Sequence, residues 1–315
     1  MPNGVGLGSD ETGRTGYRRS TPTSRGRRYR VDVISEPGQH DGGQRPGIHP
    51  HKFRTPVPVD RFHLSHPNVP ERASGLTVLH ITDTHVRRAR ERYRVLCRVL
   101  ERIEVDLVLL TGDFMTFSGD EPVALRIFEA MSRAWTARLG AFGVFGNHDS
   151  PAFRRAVRDV ADVTWLDPGT HDLPDAGIRL VGTSWPEDWL AARLEADTTH
   201  DDLFQLGLAH SPASLPAASR LGIDTMLAGH THGGQLRMHL PGLFSWAPHT
   251  STDLHRHHPS GVLRLRDTLC CISRGLGEQI VELRVQCPKQ LPLYTLERGP
   301  MPGRHSERIT RPVHW

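Results

Sequence analysis

Short, almost wholly apolar runs recur along the middle of the chain, and each ends in a polar segment. LTVLHI (Leu76–Ile81) is followed by Asp83-Thr84-His85, and DLVLLTGD (Asp106–Asp113) ends in Gly-Asp. AFGVFGNHD (Ala141–Asp149), FQLGLAHSP (Phe204–Pro212) and DTMLAGHTH (Asp224–His232) repeat the form, and IRLVGTSW (Ile178–Trp185) adds another run. Apolar runs of this length, bounded by turn signals, predict buried strands. Between them the spacing turns helical: after His85 to about Ile103, over Pro122–Arg138, over Pro151–Val160, and from Glu187. Leu236–His239, Gly261–Ser273, Ile280–Val285 and Leu293–Leu296 predict a β-rich last third. Strands alternating with helices predict an α/β fold with parallel pairs. In such sheets ligands gather at the carboxyl ends of the strands, and every polar cluster here falls there.

The ends of the chain read differently. Met1–Val69 is rich in Gly, Pro, Ser and Arg and lacks a periodic apolar pattern. It cannot bury enough surface to offset chain entropy. The expected organisation is a largely disordered basic extension over 1–69, a folded domain over 70–298, and a flexible tail over 299–315.

With 37% hydrophobic and 6% aromatic residues, part of the 315-residue chain is expected to lie outside any core. The net charge of +4 is carried almost wholly by arginine, since Lys52 and Lys289 are the only lysines. That balance suits an anionic substrate without choosing a reaction. The arginine-rich N-terminus lacks interleaved aromatics for base stacking, Tyr17 and Tyr29 being too few, so no specific nucleic-acid binding is expected. No apolar run approaches the ~18 residues of a membrane helix, and no export signal is visible. The expected place is the cytoplasm, with any membrane contact peripheral. Cys97, Cys270, Cys271 and Cys287 show no CxxC spacing and read as buried thiols, not as a zinc or disulfide framework.

In order, the polar clusters are Asp83-x-His85, Gly112-Asp113, Gly146-Asn147-His148-Asp149, His210 and Gly229-His230-x-His232. Carboxylate, imidazole and amide oxygen together suit zinc, iron or manganese. The groups exceed what one ion can use, so two ions are implied, one carboxylate bridging them. Two metals a few ångströms apart clamp a phosphorus centre for in-line displacement. His148 directly follows Asn147, so its side chain reaches the same edge without coordinating. Taken singly, none of these signals is specific.

As an ordered set the blocks resemble the calcineurin-like metallophosphoesterase superfamily, whose pattern is D-x-H, G-D, G-N-H-D/E, H and G-H-x-H. The resemblance implies a sandwich of two mixed β-sheets flanked by helices, with a dinuclear site at the strand ends. It assigns one divalent ion (Mn, Fe, Zn or Ni) to Asp83, His85 and His232, and a second to Asn147, His210 and His230, with Asp113 bridging. The implied reaction is hydrolysis of a phosphodiester, phosphomonoester or pyrophosphate by a metal-bridging hydroxide. His148 would contact phosphate and protonate the leaving oxygen, and Asp149 would orient it. The competing reading of Asp149 is a helix N-cap before Pro151. The competing reading of the whole chain is a non-catalytic, metal-bound scaffold.

GHTHGGQ, SRGLGEQ (Ser273–Gln279) and PLYTL (Pro292–Leu296) resemble a bacterial subgroup often anchored in membranes by its N-terminus. A small-molecule or lipid-linked phosphoester is the substrate this implies. The chain departs from that subgroup in its polar N-terminal segment, in Pro288-Lys289 where Pro-Glu is usual, and in Thr84 where Leu is usual. Arg274 and Gln235 are candidate substrate contacts, against a rim arginine and a loop-shaping glutamine. His255, His257 and His258 read as an exposed loop in preference to a third metal site.

Overall fold

The computed structural model describes residues 32–33, 57, 59–194, 202–236, 238–240, 244–246, 259–279 and 282–303. In chain order its principal strands are β1 (Val59–His66), β2 (Thr77–Ile81), β3 (Leu107–Thr111), β4 (Ala141–Val144), β5 (Gly169–Leu173), β6 (Ile178–Thr183), β7 (Phe204–Ala209), β8 (Thr225–Ala228), β9 (Gly261–Leu265), β10 (Thr268–Ile272) and β11 (Leu291–Arg298). Its helices are α1 (Glu91–Leu100), α2 (Glu121–Ser132), α3 (Pro151–Ala156), α4 (Trp189–Leu194) and α5 (Leu215–Arg220).

Two mixed sheets form. One runs β1-β11-β2-β3-β4 and ends on Thr164–Trp165; the other runs Asp32–Val33, β9, β10, β8, β7, β6, β5. Within the first, β2, β3 and β4 are parallel, so their carboxyl ends share one edge. Within the second, β6, β7, β8 and β10 are parallel in the same way.

The strands are apolar on both faces because both faces are covered. On β3 the period of two is explicit. Leu107 and Leu109 pack with Leu206, Leu208 and Leu227 of the facing sheet. Val108 and Leu110 turn the other way, onto Tyr93, Leu96 and Leu100 of α1 and Phe128 of α2. On the far side Met226 and Ala228 of β8 meet Trp189 of α4 and Leu215 of α5. The result is a helix–sheet–sheet–helix sandwich.

Several sequence expectations change. The boundary at residue 70 is too late, because Val59–His66 is a strand lying parallel to β11 along its whole length. Its polar alternation, VDRFHLSH, hides a half-buried strand whose partner lies more than 200 residues away. Asp32–Val33 also pairs, with β9; of the rest of the extension residues 57 and 67–69 are described, and the others, with residues 304–315, lie outside the described residues. The helix expected over Pro122–Arg138 stops at Ser132, and Thr136–Ala137 joins a two-stranded ribbon with Glu104–Val105. The strand expected over Ile280–Val285 is absent from its described part, which makes a single bridge from Val285 to Leu236. Its alternation misleads because Arg284 turns inward to bond carbonyl groups. Cys270, Cys271 and Cys287 are buried free thiols, and Cys97 is half-buried. Among the described residues no helix is long and apolar enough to cross a membrane.

Candidate metal centre and active site

The polar clusters converge because parallel strands deliver them to one edge. Asp83 and Asp113 each stand two residues beyond the ends of β2 and β3, and their loops are stitched together. The Asp83 N–H donates to Gly112 O at 2.9 Å and the His85 N–H to Asp113 O at 3.1 Å. His210 follows β7 directly, in the other sheet, and its Nδ1 donates across the interface to Thr111 O at 2.8 Å. That bond sets the tautomer and aims Nε2 inward.

Five of these residues hold left-handed backbone: Asp83 (φ 50°), His85 (φ 43°), Asp113 (φ 58°), His230 (φ 69°) and His232 (φ 51°). Each such residue costs about 1–3 kcal/mol. Each leucine fully buried between the sheets contributes about 1.5–3 kcal/mol, so the frame can hold the strain. Direct bonds hold it too. The Asp83 carboxylate accepts the His230 N–H at 3.1 Å, and Asp113 Oδ1 accepts the His148 N–H at 2.8 Å.

Two donor clusters result. Asp83, His85, Asp113 and His232 bring ligand atoms within 4.8 Å of one another, and so do Asp113, His210 and His230. In the first, His85 Nε2 lies 3.0 Å from His232 Nε2 and 3.5 Å from Asp113 Oδ2. In the second, His210 Nε2 lies 3.1 Å from Asp113 Oδ2, 3.1 Å from His230 Nδ1 and 3.0 Å from Asn147 Oδ1. Asp113 Oδ2 faces both. Burial pulls His85 down to about 3 and His232 well below its ordinary value, so both rings are neutral and can turn lone pairs toward a common point. Burial pushes Asp83 up to about 7. It works the same way on Asp113, but the neighbouring His210 and His85 outweigh it and hold that carboxyl well below the usual range. Burial opposes charge on His210, yet Asp113 brings it up to about 10. The pocket buries two carboxylates among imidazole nitrogens and an amide oxygen, a donor set that fits a pair of divalent cations.

Glycine makes the close approach possible. A Cβ on Gly229 would sit 2.2 Å from Asp83 Oδ2 and 2.2 Å from Thr82 Oγ1. Gly229→Ala is therefore expected to displace the Asp83 carboxylate and lower bound metal from two ions per chain toward one, with the circular dichroism spectrum retained. Metal analysis of the purified variant checks this.

His148 gives no atom to either cluster. Its Nδ1 donates to Thr116 O at 2.7 Å, and its ring stands edge-on to His85, centroids 4.9 Å apart. The other expected contacts change. Asp149 does not touch the His148 ring and is not the cap of α3, which is Ser150, its Oγ accepting the Phe153 N–H. The Asp149 carboxylate instead accepts the N–H groups of Asp113, Phe114 and Gly146 at 2.7–2.8 Å, pinning two ligand loops together. Three converging backbone donors held this carboxylate more strongly than the neighbouring ring could. Arg274 is turned away from the site. Its guanidinium is buried against Asp60 at 3.0 Å and donates to Pro288 O, so it serves neither substrate nor rim. Gln235 is buried too, and its Oε1 accepts the Gln279 N–H at 3.0 Å. His255, His257 and His258 lie outside the described residues.

Three further residues belong to the site and carried no signal of their own in the sequence. Trp185 stacks on His230 with centroids 5.6 Å apart and planes 18° apart, leaving its indole 36% exposed at the rim. Buried Arg284 donates to the carbonyls of His232, Arg274 and Gly277. Gln279, inside the SRGLGEQ segment, brings its amide to His148.

A family model for calcineurin-like phosphoesterases matches residues 76–234. The chain is 26% identical to the uncharacterized metallophosphoesterase YkoQ of Bacillus subtilis over 67% of this chain and 79% of that protein. It is 22% identical to the uncharacterized metallophosphoesterase YkuE of the same organism, over 79% and 87% of the two chains. It is 25% identical to the phosphodiesterase YaeI of Escherichia coli, over 72% and 84%.

Proposed function

Since the chain belongs to the calcineurin-like phosphoesterase family, we propose that it is a phosphohydrolase that works with two divalent ions and prefers a phosphodiester of a small molecule or a lipid-linked alcohol. The observation that carries this reading is Asp113 Oδ2, which faces both donor clusters at once. Asp83, His85 and His232 would hold one ion, and Asn147, His210 and His230 the other. Two such ions, when bound, supply the charge that gathers phosphate oxygens and lowers the pKa of a water. The protein's own groups do the rest. His148 stands beside the clusters with Nδ1–H committed to Thr116, so a proton for the leaving oxygen is carried at Nε2. Asp149 acts through the backbone, fixing Asp113 and Gly146 relative to each other. The partly exposed Trp185 face offers an apolar wall to the substrate's organic part. The diester preference draws on the relative named a phosphodiesterase.

The test is hydrolysis of bis-p-nitrophenyl phosphate beside p-nitrophenyl phosphate, by metal-free protein given Mn, Zn, Fe or Ni. Turnover is expected only with metal, faster on the diester, and lost in Asn147→Ala. Two ions bound per chain without turnover of any phosphoester would support the scaffold reading instead.

A further inference from the structure

The GHTHGGQ and SRGLGEQ segments stand apart in sequence, and neither Gln235 nor Gln279 offers a metal ligand. The structure joins them. The Gln235 Oε1 accepts the backbone N–H of Gln279 at 3.0 Å, and the Gln279 side-chain Nε2 lies 3.0 Å from His148 Nε2. An amide nitrogen only donates, so Nδ1–H donates to Thr116 O, the unprotonated Nε2 accepts from the Gln279 amide, and the ring is held at both nitrogens.

The support under that amide is rigid. Gly277 donates its N–H to Asp83 O at 2.6 Å, tying the segment to a ligand loop. Arg284, fully buried, gathers the carbonyls of Arg274 and Gly277 from beneath. Between Gly277 and Gln279, Glu278 is 2% exposed and is locked by Lys289 at 3.0 Å and by Arg92. A loop fastened at successive residues presents one side chain toward the site in a fixed direction.

We infer that Gln279 is a positioning residue for His148: its amide donates to the unprotonated Nε2 and fixes the ring between Thr116 O and the Gln279 side chain, so that the ring is already in place when Nε2 takes up the proton for the leaving oxygen. The inference rests on the phosphoesterase reading, in which Nε2 serves the leaving group. A carboxamide suits the task because it can donate to Nε2 when that nitrogen is unprotonated and turn its oxygen to the N–H when it is protonated, and it adds no charge beside a site built for an anion. Preorganisation of this kind acts on the chemical step more than on binding.

The test compares metal-loaded wild type with Gln279→Leu, which keeps bulk, and Gln279→Glu, which keeps reach and a hydrogen-bonding end. The substrates are methyl aryl phosphodiesters whose leaving groups run from p-nitrophenol to phenol. For Gln279→Leu, kcat should fall about threefold on the p-nitrophenyl ester and about thirtyfold on the phenyl ester, at near-constant KM, because poorer leaving groups lean harder on the proton donor. Gln279→Glu should recover part of that loss. Bound metal should stay at the wild-type level. Independently of activity, the His148 Nδ1–H proton resonance, assigned by its absence from a His148→Asn variant, should broaden or shift in Gln279→Leu. A uniform loss across the series, a loss of metal, or an unchanged ring resonance would each overturn the inference. If wild type hydrolyses no member of the series, the phosphoesterase reading fails, and the ring resonance still decides whether Gln279 holds His148.

Discussion

Asp113→Ala is expected to remove turnover and bound metal together. The carboxylate is 1% exposed, its Oδ2 faces both donor clusters, and its Oδ1 holds the His148 backbone. Without it each cluster loses an anionic donor, and His210 loses the charge that brings its pKa up to about 10. Metal analysis should show fewer than one ion per chain. Charge stabilisation worth several kcal/mol, at about 1.4 kcal/mol per decade, makes the loss in kcat/KM on the order of 10³-fold or more. Thermal melting of the metal-free forms separates this from unfolding, since the metal-free variant should keep a cooperative transition. Asp113→Asn, which preserves shape, should show the same loss of metal.

His148→Ala should divide the two properties that Asp113→Ala removes together. No His148 atom belongs to either cluster, and its ring is fastened to Thr116 and Gln279. The variant should bind two ions per chain and lose about 10²–10⁴-fold in kcat, the usual contribution of a positioned proton donor. The loss should be smallest for p-nitrophenyl esters, whose leaving group needs little protonation. Metal analysis beside steady-state kinetics checks both halves. Loss of the ions would make His148 a ligand and reassign the site.

The parts legible in the sequence were those written locally. β2, β3, β4, β7 and β8 are buried on both faces, so each spells itself as an apolar run, and the residues beyond each run are the ones that converge. Parallel order then does what no single motif can, bringing Asp83, Asp113 and His210 within reach across two sheets. The parts that were not legible depend on partners far along the chain. β1 is polar on alternate residues and becomes a strand only against β11. Arg274 reads as a surface cation until Asp60, on that same hidden strand, is placed beside it. Asp149 reads in sequence as a partner of its neighbour His148, but its oxygens accept the N–H groups of Asp113, Phe114 and Gly146, which no sequence pattern marks as donors. Gln279 and Arg284 act through carbonyls and one ring nitrogen, contacts that leave no residue-type signature. The ligands were readable because metal chemistry restricts which residues can serve; the residues supporting them were not, because many side chains can meet a backbone group.

The central claim is a two-ion site joined at Asp113, and stoichiometric titration of the metal-free protein with Mn, scoring bound ions and bis-p-nitrophenyl phosphate hydrolysis in the same samples, tests it most directly. The account predicts that activity stays low while the first ion binds, rises as occupancy passes one ion per chain, and levels off at two. Full activity at one ion per chain, or hydrolysis by the metal-free protein, would contradict it.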